Sequence, residues 1–122
     1  EADLFARLPD VLRKAIAVLE PQLADNPQDR ATLLATVDAR LRLASLASGS
    51  EREALARTAL AAIEAQASAR ADPRLRALQV ESLLLLQRGP EARTLGETLV
   101  ASGYRDAGFM VLLRANGIAS KR

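Results

Sequence analysis

The residues most readily placed in a reaction are three carboxylates, Glu91, Glu97 and Asp106, near enough in the chain to suggest a general acid and base. Acids near helix starts are also favoured by the helix macrodipole alone, and no second polar constellation accompanies these three. Histidine and cysteine are both absent. That removes Ser-His-Asp triads, thiol nucleophiles, thiolate zinc sites and disulfides together. Neither a phosphate-binding glycine loop nor a calcium loop occurs. The sequence therefore predicts a non-enzymatic chain, with no catalytic residue, metal ligand or cofactor.

Charge and hydropathy narrow the partners. The formal net charge is only +2 over 122 residues, with acids and bases interspersed, which is too weak for an electrostatic nucleic-acid track. A helix-turn-helix can be drawn over residues 92–115, around ETLVASGYRDAGFMVLLRANG, as an alternative DNA-binding reading. Its second helix would open with Asp106, Ala107, Gly108 and Met110, which cannot read base edges. A further alternative is a regulatory domain that senses a small molecule between helices. Apolar runs such as residues 15–19 and 109–113 fall far short of the roughly 20 needed to cross a bilayer. A soluble chain is expected, in a bacterial cytoplasm or periplasm, since fifteen of its 17 basic residues are arginine and alanine is abundant. It opens on Glu1 and reads as a single domain cut from a larger protein.

The elements that would position any such residue are helical. Hydrophobic residues make up 49% of the chain and aromatic ones only 2%, so the core must be built from Leu, Ala, Val and Ile. With no sustained period of two, this predicts an all-α fold of about six to seven helices. The organising stretch is residues 72–103. Asp72 caps a helix that opens on Pro73, Gly89 ends it, Pro90 opens a second, and Gly103 ends that one. Leu75, Leu78, Val80 and residues 83–86 occupy more than one face of the first helix. It must be covered from several sides, and Leu83 to Leu86 belong to a core rather than to a membrane or partner patch.

Upstream, Pro9 separates Leu4, Phe5 and Leu8 from an amphipathic helix carrying Leu12, Ile16, Leu19 and Leu23, which continues in flexed form past Pro21 to Asp25. A second helix covers about 30–47, burying Leu34, Val37, Leu41 and Ala44 and leaving Arg30, Asp38, Arg40 and Arg42 to solvent. Ser50 and Glu53 form a capping box for a third, which reaches Arg70 and presents a largely alanine interface. Asp106 caps a last short helix that ends at Gly117. Tyr104 packs on the end of the helix before it.

Three segments repeat a plan of helix, turn and helix. KAIAVLEPQLADNP places Ala15 at a small packing position, Leu19 four residues on and Pro27 at the end. EREALARTALAAIEAQASARADP repeats this with Ala61 and Pro73, and RGPEARTLGETLVASG with Ala92, Leu95 and Leu99, closing on Gly103. In this the chain resembles the tetratricopeptide-repeat family over nearly its whole length. The large first-helix positions hold Leu34, Asp38 and Leu41, then Leu75, Gln79 and Ser82. The resemblance implies a right-handed α-solenoid of antiparallel helical hairpins that scaffolds or binds a protein or peptide, rather than nucleic acid or membrane. It also implies that first helices line the concave face, with Thr32, Arg42, Leu43, Arg76, Val80 and Leu83 pointing into it. Arg42 and Arg76 would then hold a peptide carboxylate through paired hydrogen bonds.

Overall fold

The leucine-rich helix of residues 73–85 is covered from more than one side. The computed structural model describes residues 2–118, with side chains described from Arg7 onward. It contains six α-helices: α1 (Ala2–Asp25), α2 (Arg30–Leu46), α3 (Gly49–Ala65), α4 (Pro73–Leu85), α5 (Gly89–Ala101) and α6 (Ala107–Ala115), with a 3-10 turn at Ala69–Ala71. There is no strand among the described residues. Each of α1 to α4 packs on the next helix along the chain, and α2 additionally touches α4.

Burial falls into three groups that share walls. Leu12 and Ile16 of α1 meet Ala39 and Leu43 of α2. Leu33, Val37 and Leu41 of α2 meet Ala59 and Ile63 of α3 and Leu75 and Leu78 of α4. Ala77, Val80 and Leu83 of α4 then join Ala92 and Leu99 of α5 and Phe109 and Leu113 of α6. Helix α4 thus supplies one side to each of the two larger groups. Ser82, fully buried in it, avoids an orphaned hydroxyl by donating to the Leu78 carbonyl at 2.9 Å. On α5, Gly96 lets α6 come close: a Cβ there would lie 3.0 Å from Leu113 Cδ2. Leu8, Val11 and Val18 remain exposed on α1, away from α2.

Most helix ends follow their sequence signals. The Asp72 carboxylate accepts from the backbone N–H groups of Arg74 and Leu75 ahead of Pro73, and also from Arg30 of α2 at 2.5 Å. Asp106 accepts from the Phe109 N–H at 3.0 Å. Gly103 and Gly117, both at positive φ, end α5 and α6. In each case the following residue, Tyr104 or Ile118, donates back to a carbonyl five residues earlier, and its side chain packs inward. Tyr104 meets Phe109 edge to face, centroids 5.3 Å apart.

Four expectations are corrected. Pro9 does not interrupt: α1 runs through both Pro9 and Pro21 to Asp25, because the stripe of Leu12, Ile16, Leu19 and Leu23 needs one continuous helix to lie on α2. The earlier Leu4 and Phe5 side chains lie outside those described. The Ser50 and Glu53 capping box does not form. Helix α3 starts at Gly49, which carries Ser50 into the first turn, while Glu53 turns to Arg57 at 3.4 Å. The turn is secured instead by Arg52, whose Nε donates to the carbonyls of Ala44 and Ala47 at the end of α2. Helix α3 stops at Ala65 instead of reaching Arg70. Its end is tied to the α1–α2 turn by Gln28, which donates to the Ala65 carbonyl and accepts from the Ala67 N–H, while Gln66 donates to the Gln28 carbonyl. Finally, α4 is ended by Gln87 and not by Gly89. Gln87 takes φ of 62°, and the Arg88 N–H donates to the Leu83 carbonyl at 2.9 Å, leaving Gly89 to begin α5.

A left-handed conformation costs a residue with a Cβ about 1–2 kcal/mol. Gln87→Gly is therefore expected to raise stability by about 1 kcal/mol, moving the urea midpoint upward with no change in slope. A midpoint that falls would contradict this assignment of the α4 end.

Candidate functional site

Once α4 is covered on two sides, the residues left over form its two remaining strips. One strip carries Arg74 and Glu81, with buried Ala77 between them at helical spacing. It forms a wall of a groove of about 300 Å³ whose opposite wall is the start of α6, with Asp106, Phe109 and Leu112. From the other flank Asp38 and Arg42 of α2 act electrostatically on Glu81. Those two are themselves paired, Arg42 Nε lying 2.8 Å from Asp38 Oδ2.

Glu81 is the unusual group of this groove. It is half-buried, and among the described residues its carboxylate has no hydrogen bond or ion pair. Burial pushes it above its ordinary value of 4.5, and the Asp38 charge pushes the same way. Arg74 and Arg42 pull against them. The groove thus combines an under-satisfied anion, an Arg74 guanidinium with no ion pair among the described residues and an apolar floor of Ala77, Phe109 and Leu112.

The residues expected to line a concave face are distributed differently. Arg42 is exposed beside this groove. Thr32 is half-buried, and its hydroxyl donates to Asp29 Oδ2 at 2.6 Å, a local role at the start of α2. Val80 is 0% exposed, so it presents nothing to a partner, and Leu43 and Leu83 are buried with it. Arg76 lies five residues before Glu81, about 140° away around the helix, and lines a different cavity with Ile63, Gln66, Arg70, Gln79 and Leu95. Arg42 thus lies on the Glu81 side of α4, while Arg76 lines the cavity with Gln79.

The three carboxylates near one another in sequence are engaged locally. Glu91 pairs with Arg88 at 2.6 Å, Glu97 with Arg93 at 3.6 Å, and Asp106 caps α6. Arg40, expected in solvent, is 8% exposed and paired with Glu20 of α1; it lines a cavity at the junction of α1, α2 and α3. Glu81 carried a readable signal, since it is the one acid of the leucine-rich helix α4. Among the described residues, no group of three or more acids could hold a metal ion, and no helix is long and apolar enough to cross a membrane.

No protein-family model, no curated protein and no solved structure matches the chain.

A carboxyl whose folded value is raised contributes stability that is fully present below its unfolded value and is lost as pH rises through the folded one. Glu81→Gln is accordingly expected to melt higher than the parent at pH 7 and to approach it at about pH 3, below the ordinary carboxyl value, where the Glu81 carboxyl is neutral in both the folded and the unfolded chain. Thermal unfolding at the two pH values checks this. Equal melting at both would mean that the groove does not disfavour the Glu81 charge.

Proposed function

We propose that this chain is a non-catalytic interaction module whose helices stack as tetratricopeptide-like antiparallel hairpins in a right-handed array. It holds a peptide or an extended segment of a partner protein in the groove between α4 and α6. Contact of α2 with both α3 and α4 supports the stacking, because in such an array each first helix touches its own partner and the first helix of the next hairpin.

The observation that carries the reading is Glu81. A half-buried carboxylate without a partner is unfavourable in the free protein, and a cation from a ligand would relieve it. Beside it, half-buried Leu112 offers apolar surface for a neighbouring side chain, over the buried Ala77 and Phe109. The occupant this favours is a segment with a Lys or Arg next to an aliphatic residue. Its charge meets Glu81, and Arg74 and Asp106 at the rim help set its direction.

The test is selection of peptides from a random display library on the immobilised chain. Selected sequences are expected to share a basic residue adjacent to an aliphatic one, and Glu81→Lys to weaken the best of them by at least about tenfold while the helical circular dichroism spectrum stays unchanged. Selection with no such pattern, or equal binding to a folded Glu81→Lys variant, would overturn the assignment of the groove.

A further inference from the structure

Helix α1 is apolar over more of its surface than its neighbours cover. Leu12 and Ile16 are buried against Ala39 and Leu43 of α2, while Arg13 reaches Glu51 of α3 and Glu20 reaches Arg40 of α2. Val11 precedes Arg13 by two positions and Val18 precedes Glu20 by two, which places each valine about 200° around the helix from that charge. Both valines therefore point away from α2 and α3. Val11 is 57% exposed, Val18 62% and Leu8 40%, and with half-buried Ala15 they follow one another at spacings of three and four residues along a single stripe. A helix at the edge of a stack turns a polar face outward when only solvent covers it. An aliphatic stripe at this spacing is instead the pattern of a helix with a second helical neighbour.

The stripe is complementary to itself. Ala15, its smallest residue, stands near the middle, with Val11 to one side and Val18 to the other. Arg7 and Asp25 flank it at opposite ends; eighteen residues separate them, about five turns, so they share one side of α1. Both are exposed, and neither has an ion pair among the described residues. Two α1 helices laid antiparallel about a twofold axis near Ala15 set Val11 of one copy beside Val18 of the other. The same pairing brings Arg7 of each copy within reach of Asp25 of the other, twice by symmetry. A parallel pairing would set each of these charges against its own kind.

We propose that α1 is a self-association face through which two copies of this chain pair antiparallel, with Leu8, Val11, Ala15 and Val18 at the centre and ion pairs of Arg7 with Asp25 at the two ends. Helix α2 lies to the side of the stripe and stays clear of the contact, so the pair forms a four-helix layer in the order α2, α1, α1, α2. Lys14, nearer the axis, extends its ammonium to solvent along its stem. A single helix face about 36 Å long is a small contact beside the roughly 800 Å² per partner of a stable complex, so the dimer is weak, half formed at about 10–300 µM. The pairing uses no residue of the Glu81 groove and is independent of it.

Sedimentation equilibrium of the full chain from about 5 µM to about 1 mM tests the pairing. The mass is expected to rise from that of one chain towards that of two and to stop there, because a twofold contact closes. The Val11→Glu, Val18→Glu double variant changes exposed positions alone, and is expected to stay monomeric throughout while keeping the helical circular dichroism of the parent. Asp25→Arg should weaken the dimer by about tenfold at low salt, and adding Arg7→Asp to it should restore the parental value. Val111→Glu, at a position of α6 that is 58% exposed, should dimerise like the parent. A parent chain still monomeric at about 1 mM would leave the stripe to a different protein and overturn the proposal. Growth beyond two copies, dimerisation of the folded double-glutamate variant, or a charge exchange that restores nothing would each overturn it as well.

Discussion

The structure depends on one constraint: α4 is apolar over too much of its circumference to be covered by a single neighbour. Leu75 and Leu78 point into one buried group and Ala77, Val80 and Leu83 into another, so helices must lie on both sides of it. Burying a leucine side chain contributes about 1.5–3 kcal/mol, and several of them on one short helix amount to a large part of the roughly 5–15 kcal/mol by which domains of this size are stable. Helices α2 and α3 supply one cover, and α5 and α6 the other. The closeness of α6 at Gly96 and the inward packing of Ile118 complete the second side.

The same constraint generates the polar features. A cylinder covered on two sides keeps two narrow strips, and these strips are where α4 places its charged and amide side chains. Arg74 and Glu81 fall on one, Arg76 and Gln79 on the other. Each strip is flanked by neighbouring helices and therefore becomes a wall of a groove instead of an open surface. Partial burial of Glu81 follows from this placement. Ligand binding is proposed at Glu81 because the fold leaves its charge incompletely satisfied, while Asp72, Glu91 and Asp106 are satisfied locally by Arg30, Arg88 and the Phe109 N–H.

Local signals in the sequence were informative where the interaction is itself local. Asp72 before Pro73, Asp106 before α6, and the glycines at 103 and 117 each act within one helical turn, and all four do what their types suggest. Expectations failed where distant packing decides. Pro9 stays inside α1 because α2 rewards an unbroken stripe, and Arg52 replaces the Ser50 box because it can reach the end of α2. Arg40 is drawn inward by Glu20, twenty residues away. For the groove, resemblance pointed to Arg42 of α2 and Arg76 of α4, of which Arg42 acts on Glu81 and Arg76 lines another cavity. Glu81 was visible as the one acid of a leucine-rich helix, whereas its neighbours Asp38, Asp106 and Phe109 are joined to it only by tertiary packing.

The most direct measurement of the shared role of α4 is native-state hydrogen exchange. If both halves of the core rest on this helix, the amides of residues 78–83 exchange only through global opening, with a free energy equal to that from denaturant melts, while α1 and α6 open at lower cost. Exchange of those α4 amides through a local opening, with α1 or α6 outlasting them, would contradict the account.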